Sequence, residues 1–191
     1  IDNKYVIKGP VLAQALPEFC EAFDILEIKS KRSFIYETCY FDDDAQSSYL
    51  HHQQGRRNRV KVRMRRYAGT DLCFVEVKLK DTRGATIKKR LPCSPAIYGR
   101  LDGKSMDFVR ESYEGHYGKP FDYELSPSAQ VRYRRMTLVA KTGGERMTVD
   151  SELEFDDGKT SCAISPGIHI LETKSSCGNG LADRILRGLH Q

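Results

Sequence analysis

The run Arg59-Val60-Lys61-Val62-Arg63-Met64-Arg65-Arg66-Tyr67 constrains this chain more than any other stretch. Basic residues at 59, 61, 63 and 65 alternate there with Val60, Val62 and Met64. A period of two marks a β-strand, in which every second side chain shares a face at a spacing of about 7 Å. One face of the strand is then a row of cations and the other is apolar. In a medium with the effective dielectric of a protein surface, two unit charges at that spacing repel by about 2 kcal/mol. Such a row needs water, acids or a polyanion beside it. For one strand a solvated face is explanation enough.

The pattern recurs, however. In Phe74-Val75-Glu76-Val77-Lys78-Leu79-Lys80 the apolar residues share one phase and Glu76, Lys78 and Lys80 the other. Ile87-Lys88-Lys89-Arg90-Leu91 is basic on both faces, with Lys88 and Arg90 in one phase. Tyr133 and Arg135 share a phase, as do Arg146, Thr148, Asp150, Glu152 and Glu154, and finally Glu172 and Lys174. A chain with a formal net charge of +5 has no solubility reason to charge so many strands. The pattern predicts an α+β fold: an eight-stranded antiparallel β-barrel with a charged interior and helices packed on its outside.

The expected strands are 4–8, 34–41, 58–67, 73–80, 85–91, 130–140, 145–155 and 168–175. Short turns at Gly69-Thr70-Asp71, Asp81-Thr82-Arg83-Gly84 and Gly143-Gly144 join neighbouring strands. Helical spacing of Leu12, Ala15, Leu16, Phe19 and Phe23 predicts a helix over 11–23, which Pro17 should break or restart. A second helix is expected over 104–117, with Met106, Val109, Arg110 and Tyr113 on one side, a short one over 45–54 and a last one over 181–189. Their apolar stripes are what would cover the barrel's exterior.

At 191 residues and 39% hydrophobic content, one domain with its own core is expected. Cys20, Cys39, Cys73, Cys93, Cys162 and Cys177 form no C-x-x-C pair, which points to reduced thiols in a cytoplasmic protein. No run approaches the roughly 18 apolar residues of a membrane-crossing helix. Ile1 stands where an initiator methionine would, so the chain reads as a fragment whose parent can carry a membrane segment elsewhere. His51, His52, His116, His169 and His190 lack metal-ligand spacing, Asp42-Asp43-Asp44 reads as a turn or helix cap, and Gly178-Asn179-Gly180 as a linker. Neither a Walker-type loop nor a nucleophile elbow is present. Chemistry has to come from the acids and the cations, and partners should be anionic. Nucleic acid is not expected, because the sequence mates of the arginines are Val60, Val62 and Met64 rather than the aromatics of a base-stacking face.

In order and spacing these residues resemble the triphosphate tunnel metalloenzymes and, within them, the polyphosphate polymerase branch of the VTC (vacuolar transporter chaperone) domain. The landmarks run from Lys4-Tyr5 through Tyr40-Phe41-Asp42, the 61–67 and 74–78 strands, Lys88-Lys89-Arg90, Tyr133-Arg134-Arg135 and Arg146 to Glu152, ending at Leu171-Glu172-Thr173-Lys174. The resemblance implies that Lys4, Lys61, Arg63, Arg65, Lys78, Lys88, Arg90, Arg135, Arg146 and Lys174 hold phosphate oxygens. It places Arg63, Arg65, Lys78, Arg135 and Glu172 at the catalytic centre. It further implies that Glu172 ligates Mn²⁺ or Mg²⁺, with Glu76 and Glu152 as further candidates for binding the ion or orienting cations.

The implied substrate is ATP or another triphosphate, and the implied acceptor a growing polyphosphate chain. Hydrolytic members carry Glu-x-Glu-x-Lys on the first strand, whereas only Asp2 precedes Lys4 at the inner position here, which favours the polymerase branch. The lysine-bearing segment that follows the last strand in that branch has no match around Arg184, Arg187 and Gln191. Two other readings stay open: a triphosphatase of the same fold, and a non-catalytic polyphosphate-binding module.

Overall fold

The computed structural model describes residues 1–81 and 84–189. Thr82 and Arg83 of the turn expected after Asp81, together with His190 and Gln191, lie outside the described residues. The alternating segments form β1 (Asp2–Lys8), β2 (Phe23–Ile25), β3 (Phe34–Asp42), β4 (Arg59–Tyr67), β5 (Cys73–Lys80), β6 (Thr86–Pro92), β7 (Ser126–Ala140), β8 (Arg146–Asp156), β9 (Ser161–Ala163) and β10 (Ile168–Lys174). The helices are α1 (Gly9–Ala22), α2 (Ser47–Gln53), α3 (Gly103–Tyr117) and α4 (Leu181–Gly188). Strand bounds follow the alternation closely, although β7 starts earlier than expected and the short β2 and β9 are additional.

The hydrogen-bonded strand order is β1-β10-β8-β7-β3-β4-β5-β6, with β2 beside β7 and β9 beside β8. This path has two ends, β1 and β6, and does not return on itself. The expected closed eight-stranded barrel is therefore corrected to an open antiparallel sheet. Alternation gives a strand one polar and one apolar face, and a sheet covered on one side satisfies that as well as a barrel does. The double-sided basicity of Lys88, Lys89 and Arg90 belongs to an edge strand, where charge blocks further strand pairing.

The chain organises into two compact units. The first comprises Ile1–Ile35, Arg132–Glu154 and Cys162–Gln191. Its core is the apolar phase of β1, β8 and β10 (Ile7, Met147, Val149, Leu171) packed with Ala15 and Phe19 of α1 and Ala182, Ile185 and Leu186 of α4. α1 runs unbroken through Pro17, contrary to expectation. Pro17 and Ala13 are both exposed, so water can satisfy the Ala13 carbonyl that loses its amide partner.

The entry to α4 is held by a buried carboxylate: Glu145 accepts hydrogen bonds from the amides of Leu181 (2.5 Å) and Ala182 (3.1 Å). A negative group at a helix N-terminus is stabilised by the unpaired amides there. Any side chain at Gly180 would collide with that carboxylate. The stretch 178–180 is thus a shaped helix entry and more than a linker.

The second unit comprises Tyr36–Val131 and Phe155–Ser161. Cys39, Phe41, Val60, Val62, Met64, Val75, Val77 and Leu79 form its core with Val109 of α3 and Phe121. The Tyr117 hydroxyl fastens the end of α3 to the sheet through the carbonyls of Arg59 (3.0 Å) and Lys80 (2.7 Å). The acidic run after β3 caps α2, with Asp42 accepting from the amides of Ser48 and Tyr49 and Asp43 from that of Ser47. Among the described residues no helix is long and apolar enough to cross a membrane.

Candidate anion-binding faces

Strand register decides which charged side chains stand together. In the second unit Arg63 lies opposite Glu76, and Glu76 opposite Arg90; Lys61 lies opposite Lys78, and Lys78 opposite Lys88. Arg65 lies opposite Phe74 on one side and Thr38 on the other, and Tyr40 opposite Arg63. Residues directly opposed across a ladder share a face. Lys61, Arg63, Arg65, Glu76, Lys78, Lys88 and Arg90 therefore lie on one face of β4, β5 and β6, with Thr38 and Tyr40 beside them. The other face is the one that buries Val60, Val62, Met64, Val75 and Val77.

At the centre of this face Glu76 is 3% exposed. Its Oε2 accepts from Arg63 Nε at 2.6 Å, with Arg63 Nη2 also at 2.6 Å, and its Oε1 pairs with Lys88. Burial pushes the Glu76 carboxyl up, but Arg63 and Lys88 outweigh it and hold the group below the usual carboxylate range. Burial likewise pushes Tyr40 up, and Arg63, Lys61 and Arg65 outweigh it so that the phenol titrates below its ordinary value. Lys88 is lowered, by burial first, with Glu76 offsetting only part of that.

Arg63 Nη1 stands 3.5 Å from the Tyr40 hydroxyl, and Lys61 Nζ lies 5.3 Å from the centre of the Tyr40 ring. Arg65 donates to Thr38 Oγ1 at 3.2 Å and stacks over Tyr36 at 5.4 Å, while Arg90 lies over Phe74 at 5.1 Å. Lys61, Lys78 and Lys88 form a transverse row of ammonium groups on adjacent strands. Like charges directly opposed are unfavourable, and an anion laid along the row relieves them.

The first unit carries a second charged face. Lys4 lies opposite Glu172 and Glu172 opposite Thr148; Asp2 lies opposite Lys174 and Lys174 opposite Arg146. Glu172 is half-buried and makes no ion pair or hydrogen bond among the described residues, and the buried Thr148 Oγ1 beside it has no partner there either. Lys174 reaches Asp2 at 3.3 Å. Arg135 is held by both oxygens of Asp150, at 2.6 and 2.7 Å, a fork-on-fork contact that fixes the guanidinium plane.

Glu152 stands elsewhere. Adjacent strand residues point to opposite faces, yet Arg135 pairs with Asp150 while Arg134 pairs with Glu152 at 3.0 Å. The left-handed backbone at Glu152 (φ 53°) breaks the alternation, turning Glu152 and Glu154 away from the face that holds Asp150. Among the described residues no three His, Cys, Asp or Glu side chains are placed to hold a metal ion.

Register thus gathers Lys61, Arg63, Arg65, Glu76, Lys78, Lys88 and Arg90 in one unit, and Lys4, Arg146, Glu172 and Lys174 in the other. Reasoning from sequence assigned no role to Tyr40, Thr38, Thr148 or Asp150. The phase shared by Asp150 and Arg146 was the readable signal for the last two.

A family model of the VTC domain matches residues 1–187. No curated protein matches the chain in sequence. Among solved structures, a candidate adenylate cyclase from Bacillus halodurans superposes with a TM-score of 0.60 at 12% identity, covering 100% of this chain and 89% of that one. A candidate adenylyl cyclase from Hippeastrum, whose dominant activity is triphosphatase, gives 0.53 at 15% identity over 99% and 87% of the two chains. A protein from Pyrococcus horikoshii OT3 gives 0.51 at 14% identity over 99% and 86%. At these identities the likeness is one of fold.

Proposed function

We infer what this chain does from one premise: it belongs to the VTC domain family. The reading supported best is a domain that binds a triphosphate and cleaves or transfers its terminal phosphoryl group. The observation that carries it is the face on which Lys61, Lys78 and Lys88 run in register beside Arg63, Arg65 and Arg90, with a single buried carboxylate among them. A triphosphate is already activated, so its reaction calls for charge neutralisation and in-line alignment rather than a protein nucleophile. Lys4, Arg146 and Lys174, with Arg135, supply a second set of phosphate contacts in the other unit.

Hydrolysis is the first form of this reading, and the triphosphatase activity of the Hippeastrum protein supports it through shared fold. Polymerisation is the second, supported by membership of the VTC family. Incubation with ATP or tripolyphosphate and Mn²⁺, followed by separate assays of free phosphate and long-chain polyphosphate, tells them apart. Free phosphate alone supports hydrolysis, and a lengthening chain supports the polymerase. Binding with neither product reduces the domain to a polyanion-binding module.

Manganese or magnesium carried by phosphates needs only one or two protein carboxylates, the rest of its shell being phosphate oxygen and water. Glu172 fits that demand, with the unpartnered Thr148 hydroxyl beside it, whereas Glu76 and Glu152 are already paired with cations. When bound, such an ion neutralises charge on the phosphate oxygens. Glu172→Gln is expected to keep tripolyphosphate affinity in calorimetry and to lose manganese-dependent turnover by about a hundredfold. Undiminished turnover in that variant would remove Glu172 from the metal assignment.

A further inference from the structure

We propose that Glu76 is a positioning residue with a built-in competing charge: it holds Arg63 in place permanently and occupies Lys88 only until a triphosphate takes that lysine over. The inference rests on the reading of the β4–β6 face as a triphosphate site. Both oxygens of Glu76 are engaged, Oε2 by Arg63 and Oε1 by Lys88, so the carboxylate stands where a phosphate oxygen would stand between the same two cations.

The two partners differ in how firmly they are held. The Arg63 side chain is 17% exposed, on a strand flanked by β3 and β5, and is gripped by Glu76 on one side and the Tyr40 hydroxyl on the other. The Lys88 side chain is 39% exposed, on the edge strand β6, at the end of a flexible four-carbon stem. An arriving anion therefore finds Lys88 easy to recruit and Arg63 already aimed.

The groups facing Glu76 are Arg63 and Lys61 on β4, Arg90 and Lys88 on β6, Lys78 on its own strand, and Arg65 and Tyr40 further along. All but Tyr40 are cations. Removing Glu76 would take a buried negative charge from their midst, so the empty face would be more attractive to phosphate and less ordered. That combination separates this role from metal binding and from a purely structural one. A metal ligand lost would lower manganese affinity; a structural residue lost would lower binding and turnover together.

The test uses purified protein and inorganic tripolyphosphate, followed by calorimetry and steady-state kinetics. Glu76→Gln is expected to bind tripolyphosphate about tenfold more tightly, because a negative charge beside the site is gone. Its kcat is expected to fall by at least about tenfold as Arg63 loses its orientation, with manganese binding to the ligand-free protein unchanged. Unchanged or weakened tripolyphosphate affinity, or lowered manganese affinity, overturns the proposal.

Lys88 sits on an exposed edge, so Lys88→Met should fold even if Glu76→Gln does not. Lys88→Met should weaken binding about tenfold, and the double variant Glu76→Gln/Lys88→Met, which restores the wild-type net charge, should recover most of that loss. A double variant no better than Lys88→Met also overturns it. If wild-type protein fails to bind tripolyphosphate at all, the reading of the face falls and this inference with it. If it binds and the variants behave otherwise, only the inference falls.

Discussion

Arg63→Ala is expected to weaken tripolyphosphate binding by about 1.5–3 kcal/mol, the usual loss for a charge-assisted contact. It should also lower the free energy of unfolding by about 3 kcal/mol, because it strips a buried carboxylate of the partner that holds it through two nitrogens. Glu76 is too deeply buried for water to replace the guanidinium, and its ion pairing among the described residues would fall to Lys88. Arg65→Ala offers the contrast. Arg65 bonds the neutral Thr38 hydroxyl and stacks on Tyr36, so its loss should reduce binding with a smaller penalty in stability. Urea denaturation and calorimetry on the two variants measure both quantities. Equal stability losses would mean that Glu76 does not depend on Arg63.

Asp183→Ala is expected to cost about 4 kcal/mol of stability. Asp183 is fully buried and accepts from Thr173 Oγ1 (2.6 Å), Tyr5 hydroxyl (2.8 Å), Asn3 Nδ2 (2.9 Å) and the Gly180 amide (2.8 Å). It joins β1, β10 and the start of α4, and its removal leaves every one of those donors without this acceptor. Burial pushes its carboxyl up, but the donors, Thr173 first, outweigh it and the net shift is downward. A group whose folded pKa is depressed stabilises the fold above its unfolded value, here 3.8, and loses that contribution as pH falls through the lower folded value. Wild type should therefore lose stability on acidification below that value, and the alanine variant should lose less over the same interval. Chemical denaturation followed across the acid range measures it; parallel curves would contradict the assignment.

The faces of β4, β5 and β6 were legible because period-two alternation maps one-to-one onto strand geometry. Once Arg63 and Glu76 were placed in strands with polar phases, only the register was needed to bring them together. Closure was not legible, because it depends on whether β1 and β6 pair, and alternation within a strand carries no information about its edges. Glu152 was misplaced for a local reason: a left-handed residue inside a strand reverses the phase beyond it, and glutamate gives no sign of such a conformation as glycine would. Pro17 misled in the other direction, since its cost depends on whether the orphaned carbonyl meets water. Glu145, and Asp183 in its bonds to Asn3 and Tyr5, act through partners far away in sequence, so no window along the chain could reveal those contacts.

Calorimetric titration of tripolyphosphate into the metal-free wild-type protein at increasing salt tests the central claim most directly. Screening shortens the Debye length from about 30 Å at 0.01 M to about 8 Å at 0.15 M salt, while contacts made by buried groups are screened much less. The account predicts saturable binding that weakens steadily with salt yet persists at about 0.15 M. Heats indistinguishable from dilution, or an affinity indifferent to salt, would contradict it.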